Sequence, residues 1–177
     1  MTTARARVPR IRVDLATEGD IPGIVSVRVK AAEDLTARYG GGHWSGHASD
    51  KGVAWDLRQG QVLVARRGKS IVGTLKLATR KPWAIDTSFF SACRRPWYLT
   101  NMAVDPSHQR LGIGTHCVLE AVRLVAEWDG DAVRLDAYDA VAGAGPFYEK
   151  CGFREVGRVT YRITPLIYYE RIVGNGE

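Results

Sequence analysis

The sequence predicts an α/β (α+β) domain, helices packed on a central sheet. Three observations predict it. Strand-like and helix-like stretches alternate between about residues 12 and 170, with no internal repeat, low-complexity segment or shift of composition. Residues 61–78 read as a β-hairpin, and residues 112–128 as a strongly amphipathic helix. The chain has 177 residues, 45% hydrophobic and 25% charged, which is enough to bury one core without disulfide or metal staples.

Each element has a local reason. Ile11 to Ala16 alternates apolar residues, as a strand does. Thr17 followed by Asp20 resembles a capping box, with Pro22 just inside the helix. Ile21, Ile24, Val25, Ala32 and Leu35 then recur at helical spacing until Tyr39 and three glycines. Residues 43–60 are irregular, with a short helix expected around 53–57. Gln61–Arg66 and Ile71–Ala78 are β-branched and apolar, joined by the turn residues Arg67-Gly68-Lys69-Ser70. Residues 80–96 form a long connection carrying Trp83, Phe89 and Phe90, and long aromatic connections are seldom idle. Trp97 to Val104 is a strand that Asp105-Pro106 stops. The helix over 112–128 carries a polar stripe of His116, Glu120, Arg123 and Glu127 opposite Val118, Ala121, Val125 and Trp128. In the next strand Val133, Leu135 and Ala137 alternate with Arg134 and Asp136. Residues 142–151 form a short helix closed by Gly152, and Phe153–Val173 gives one or two last strands.

The net charge is +6, which favours anionic ligands. Arg5, Arg7 and Arg10 concentrate charge in a basic arm over residues 1–10, leaving residues 11–177 as the single domain. That arm lacks the aromatic interleaving of a nucleic-acid site and reads as a solvated tail. Three widely spaced cysteines, Cys93, Cys117 and Cys151, without a C-x-x-C pair, exclude a disulfide framework and a zinc site, and no metal is expected. No apolar segment follows the basic N-terminus and no run is long enough to span a membrane, so the expected location is the cytoplasm.

Chemistry concentrates where a strand turns into a helix. Leu99-Thr100-Asn101-Met102-Ala103-Val104 is followed by Asp105-Pro106-Ser107-His108 and then Gln109-Arg110-Leu111-Gly112-Ile113-Gly114-Thr115. The first amides of a helix have no intrahelical partners and face the positive end of its dipole. Glycines there let a phosphate approach the main chain. A P-loop requires a lysine that does not follow Gly114. A Rossmann turn requires a third glycine where Cys117 stands. A coenzyme A pyrophosphate site is the third possibility, and G-x-G alone does not decide.

The surroundings do. Gln109-Arg110-Leu111-Gly112-Ile113-Gly114 resembles the Q/R-x-x-G-x-G/A motif of the GNAT family of acetyl-CoA-dependent N-acetyltransferases. Met102-Ala103-Val104-Asp105-Pro106 is similar to that family's strand exit, and Phe147-Tyr148-Glu149-Lys150-Cys151-Gly152-Phe153 to its F/L-Y-x-x-x-G-F segment. The hairpin and Tyr168-Tyr169-Glu170 also fit, so the resemblance runs over about residues 11–171. It implies a mixed, mostly antiparallel sheet whose central strands splay, with the pantetheine arm between them. It also implies that Met102, Ala103 and Val104 pair with the pantetheine and polarise the thioester. Gln109, Arg110, Leu111, Gly112, Ile113, Gly114 and Thr115 would hold the pyrophosphate, and Phe147 and Tyr148 would complete the acetyl-CoA site.

The reaction so implied is direct transfer to a primary amine of a small molecule or protein, with Tyr148 as general acid and the cysteines as bystanders. A glutamate is frequent in the family near the position of Tyr98, so the base is open; Glu33, Asp34, His43 and His47 are candidates. Val141 replaces a frequent asparagine seven residues before Tyr148. Arg110, Lys150 and Arg154 are candidates for the CoA phosphates. Segments 39–60 and 80–97 are expected to build the acceptor pocket, with Trp44, Trp55, Trp83, Phe89, Phe90 and Trp97 lining it or covering the core edge. A homodimer is compatible with the resemblance. A non-catalytic acyl-CoA sensor on the same fold is the alternative.

Overall fold

Two strands near the middle of the sheet run side by side and then part, and the rest of the chain is arranged around that parting. The structure, a computed structural model, describes residues 10–174. The expected arm therefore lies, apart from Arg10, outside the described residues. The order is β1 (Ile11–Leu15), α1 (Ile21–Tyr39), α2 (Asp50–Gln59), β2 (Gln61–Arg67), β3 (Ser70–Ala78), β4 (Pro96–Val104), α3 (Ile113–Glu127), β5 (Ala132–Tyr138), α4 (Gly145–Lys150), β6 (Arg154–Tyr161) and β7 (Thr164–Ile172). One seven-stranded sheet has the order β1-β2-β3-β4-β5-β7-β6, and all its pairings are antiparallel except β4 with β5. This is the mixed, mostly antiparallel sheet expected.

Strand alternation sorts the core into two layers. On β2, Leu63 and Ala65 face α3, where Cys117, Val118, Ala121, Val122 and Val125 are buried against them and against Leu75, Val133 and Leu135. Val62 and Val64 face the other way, onto Ile24 of α1 and Val53 of α2. The polar stripe of α3 stays outside, its Arg123 held by Glu120 at 2.6 Å and by Glu127. Asp20 ties the start of α1 to β2. Its carboxylate takes the Thr17 N–H at 2.9 Å and both ends of the Arg66 guanidinium at 2.9 and 2.8 Å.

Some boundaries differ from the sequence reading. The helix expected over 53–57 runs from Asp50 to Gln59, because the Ser49 hydroxyl accepts the Gly52 N–H at 3.1 Å and caps it a turn earlier. The helix expected over 142–151 shrinks to Gly145–Lys150. Gly143 forms a tight turn before it, and a Cβ there would lie 1.9 Å from the Tyr138 carbonyl oxygen. The long connection is irregular except for one turn of 3₁₀ helix at Thr87–Phe89. It covers the closed end of the sheet: Phe90 is buried with Ile85, Tyr98 and Tyr168, Trp97 packs on Trp128 at 5.0 Å, and Trp83 is exposed. Among the described residues, no helix is long and apolar enough to cross a membrane.

The pairing of β4 with β5 stops at Tyr98 opposite Arg134, although β4 continues to Val104 and β5 to Tyr138. At that last pair the Arg134 guanidinium is buried. Nε donates to Glu170 at 2.9 Å, Nη1 to the Tyr98 hydroxyl at 3.3 Å and Nη2 to the Ser91 carbonyl at 2.6 Å. Glu170 also accepts the Ser91 N–H at 3.1 Å. The network joins β4, β5, β7 and the long connection just where the strands separate. A charge left alone in such a place costs about 3–5 kcal/mol. Glu170→Ala is expected to lower unfolding free energy in urea by about that much; a loss under about 1 kcal/mol would show that the network does not pin the sheet.

Candidate functional site

Beyond Tyr98 the edge of β4 that faces β5 has no strand to pair with, and the gap opens into a cleft of about 780 Å³. The cleft passes through the sheet. Tyr148 and Ala144 line it on the α4 side, Arg28, Leu35 and Val53 on the α1–α2 side, and Leu99–Ala103 and Asp136–Tyr138 at the split itself.

A bulge shapes the β4 wall. Lys76 pairs with Thr100 and Thr74 with Ala103, so β4 has one residue more than β3 between these pairs. Asn101 takes up the excess at φ 54°, in the left-handed region. Its amide donates to Asp56 of α2 at 3.1 Å. Met102 and Ala103, named from sequence, line the cleft; Val104 packs toward the core instead.

The turn into α3 follows. Gln109 donates to the Val104 carbonyl at 3.3 Å and so holds the turn against the strand end. Arg110 at φ 61° and Gly112 at φ 79° reverse the chain, and His116 N–H closes the first helical bond on the Gly112 carbonyl at 3.0 Å. The amides of Ile113, Gly114 and Thr115 therefore lack intrahelical acceptors. Arg110, Leu111 and Thr115 are exposed, while the Ile113 side chain is buried. The two glycines differ in role. Nothing lies within 4 Å of where a Gly112 Cβ would stand, so that position is open. A Gly114 Cβ would meet Phe147 at 3.2 Å and Met102 at 3.5 Å. The missing side chain at Gly114 is thus taken up by packing of α3 against β4 and α4, a correction to the reading that both glycines clear space for a phosphate.

Tyr148 is 6% exposed, and its ring packs against Phe147, Phe153 and Tyr169 at 5.1, 5.7 and 6.4 Å. Burial, helped by the nearby Cys151 and Asp136, pushes its phenol well above the ordinary tyrosine range. The phenol stays protonated and can donate. Burial likewise raises Cys117 to about 12 and raises Cys93 and Cys151, so all three thiols are poor nucleophiles.

The base candidates separate cleanly. Glu33 is exposed and Asp34 is paired with Arg38, and neither lines the cleft. His43 and His47 do line it. His43 stacks on Tyr138 at 6.0 Å, and its Nε2 lies 2.6 Å from the Thr164 hydroxyl. Sequence reasoning missed Asp136, which stands on β5 in the cleft wall with its carboxyl raised by burial. It was visible only as the polar half of an alternation. The signal would have been that β5 is an inner strand of the sheet, where a carboxyl is more covered than at an edge. Arg154 lies by Ser91 and Glu170 at the closed end, away from the α3 start, which removes it from the phosphate candidates. Of the expected aromatic lining, Trp44 and Trp55 line the cleft, whereas Trp83, Phe89, Phe90 and Trp97 do not. Segment 80–97 contributes Pro82 alone.

Residues 29–153 match the acetyltransferase (GNAT) family. The chain belongs to this family. The N-alpha-acetyltransferase 30 of Xenopus laevis is 39% identical over 59 residues, 33% of this chain and 22% of that protein, so the match spans about a fifth of that relative's length. A solved ribosomal-protein-alanine N-acetyltransferase of Brucella melitensis superposes with a TM-score of 0.71 at 20% identity, over 91% of this chain and 99% of its own. The yncA protein of Salmonella typhimurium, solved with acetyl-CoA, superposes with a TM-score of 0.69 at 15% identity, over 94% of this chain and 95% of its own. At such identities the likeness to this GNAT chain is one of fold.

The raised Asp136 carboxyl has a consequence for stability. The folded state holds that proton above the pH at which the unfolded chain releases it. Stability therefore falls as pH rises from the ordinary carboxylate range through the raised value, and the full penalty stands above it. Asp136→Asn removes the ionisation. The variant is expected to gain thermal stability over the parent, more at about pH 8 than at about pH 5; an equal shift at both pH values in thermal melts would contradict the assignment.

Proposed function

We propose that this protein is an acetyl-CoA-dependent N-acetyltransferase that passes the acetyl group directly to a primary amine. The observation that carries the reading is the parting of β4 from β5 at Tyr98–Arg134, which leaves the main chain of Leu99–Val104 unpaired on the cleft side. An extended chain of amides, as in pantetheine, fits an open strand edge. The exposed amides before α3 and the open surface over Gly112 fit a diphosphate. Three free cysteines suit a reducing compartment, the cytoplasm.

Acetyl-CoA supplies the acyl group as a thioester. The roles of the chain's own groups follow from chemistry. The bulge at Asn101 interrupts the regular ladder of β4 beside the split, and main-chain N–H groups left unpaired there would stabilise negative charge on the thioester oxygen. Asp136, on the β5 wall of the cleft with its carboxyl raised by burial, is assigned as the base for the amine proton, whereas His43 is engaged by Tyr138 and Thr164. The new C–N bond forms as the C–S bond breaks, and the departing sulfur would accept a hydrogen bond from Tyr148. A phenol is ordinarily about 1.5 units weaker an acid than a thiol, about 2 kcal/mol uphill for full transfer, and burial widens that gap. Tyr148 is thus a donor to the thiolate, whose proton is completed from solvent as product leaves. An α-amine must give up a proton at about 1–1.5 kcal/mol at neutral pH, a lysine amine at about 4–5, so one carboxylate suits an α-amine or another weakly basic acceptor.

Free-thiol release from acetyl-CoA with a panel of amines tests the reading. Tyr148→Phe is expected to lower kcat by about 10²-fold or more with CoA affinity retained. Serine at Cys117 or Cys151 leaves turnover in place. A Tyr148→Phe protein with the parent's kcat would remove the donor role, and loss of turnover in the cysteine variants would argue for a covalent intermediate instead.

A further inference from the structure

A second cluster of charge lies on the α1–α2 side of the cleft, away from Tyr148. Asp56 of α2 is 9% exposed. Its carboxylate accepts from Arg28 Nη1 at 2.8 Å, Lys76 Nζ at 2.9 Å and Asn101 Nδ2 at 3.1 Å. Arg28 and Lys76 are almost as covered, each with 13% of the side chain exposed. Two cations thus share one carboxylate, and the cluster carries a surplus positive charge where water screens it poorly. A second observation singles out Arg28. Its Nε and Nη2 are buried and have no hydrogen-bond partner among the described residues. A buried donor without a partner is costly, and more so on a charged group. Arg28 and Asp56 both line the cleft, whereas Lys76 does not.

Among the described residues, the ion pairs of Arg28 and Lys76 both run to Asp56 and none to Asp136. The cleft therefore has two chemically different ends. Asp136 and Tyr148 handle an amine and a sulfur at the split, and Arg28 offers unspent donors and net positive charge beyond it. The lining shared by the two ends includes the apolar side chains of Leu35, Trp44 and Leu99.

We propose that Arg28 is an acceptor-specificity residue and that the acceptor carries a carboxylate as well as its amine, joined by an apolar stem. A small turn of the guanidinium toward the cleft lets Nε and Nη2 meet the two carboxylate oxygens side by side. Nη1 stays on Asp56, which holds the fork in place. A single surplus charge matches a monoanion. This rests on the acetyl-transfer reading above and names the substrate class for the same cleft.

Matched acceptors test it: 6-aminohexanoate, 4-(aminomethyl)benzoate and (4-aminophenyl)acetate against their carboxamides, pairs in which the carboxyl stands too far from the amine to change its basicity much. Two quantities are measured, kcat/KM by thiol release and binding to CoA-saturated protein by calorimetry. The expected result is a preference for the acid of at least about tenfold, expressed in KM more than in kcat. Arg28→Gln brings the ratio near one. Arg28→Lys keeps a charge for Asp56 but loses the fork, and gives an intermediate ratio; it keeps the comparison readable should the glutamine variant fail to fold. Turnover with equal acid and amide values in the parent, or a ratio that survives both substitutions, overturns the inference. So does the absence of acid binding to the CoA-loaded protein. Selective acid binding without thiol release from any amine would overturn acetyl transfer and leave the anion site standing.

Discussion

A parallel pairing that ends early governs this molecule. β4 and β5 are bonded at Pro96, Trp97 and Tyr98 and nowhere beyond. Unpaired main-chain groups inside a domain are costly and rare, so a strand edge left open there is a site waiting for a partner of strand-like chemistry. The buried Arg134–Glu170 pair stands at the point of separation and ties four segments together. From it the remaining features follow in order along β4: the bulge at Asn101, the open edge at Met102 and Ala103, and the reversal into α3 that Gly112 permits.

Burial acts as a chemical instrument on the two walls of the cleft in opposite ways. On the β5–α4 wall it meets acids without cations, and Asp136, Tyr138 and Tyr148 are all pushed toward their neutral forms. A carboxylate made reluctant to ionise is a stronger base, and a phenol made reluctant is a more persistent donor. On the α1–α2 wall it meets cations in excess of acids, at Arg28, Lys76 and Asp56. Asn101 belongs to both arrangements, since its backbone makes the bulge and its side chain ends on Asp56. β4 is thereby braced by the cluster on the α1–α2 side of the cleft.

The layers explain why the cleft can pass through the sheet without breaking the core. α3 closes one face with an unbroken stripe from Ile113 to Val125, and α1 with α2 close the other over β2. The split opens between these covers, and Ala103, Ala137 and Ala144 are among the residues that line it with Tyr148. Phe147 and Met102, meeting at the bare Cα of Gly114, seal the cleft against α3.

Much of this was legible in the chain. The hairpin over 61–78, the stripe of α3 and the glycine-rich turn at 109–115 depend on neighbours a few residues apart, so periodicity and local turn chemistry determine them. Tyr148 and the β4 exit could be singled out because their motifs are continuous in sequence. What only tertiary structure decided is everything made by residues far apart. Asp136 became a cleft acid because β4 parts from β5 beside it, which its own alternation with Leu135 and Ala137 does not reveal. Phe89 and Phe90 went to the closed end because Tyr168 offers them an aromatic face there. The Arg28–Asp56–Lys76 cluster draws on α1, α2 and β3. Ion pairing across such separations depends on distance in space, which a linear pattern does not encode.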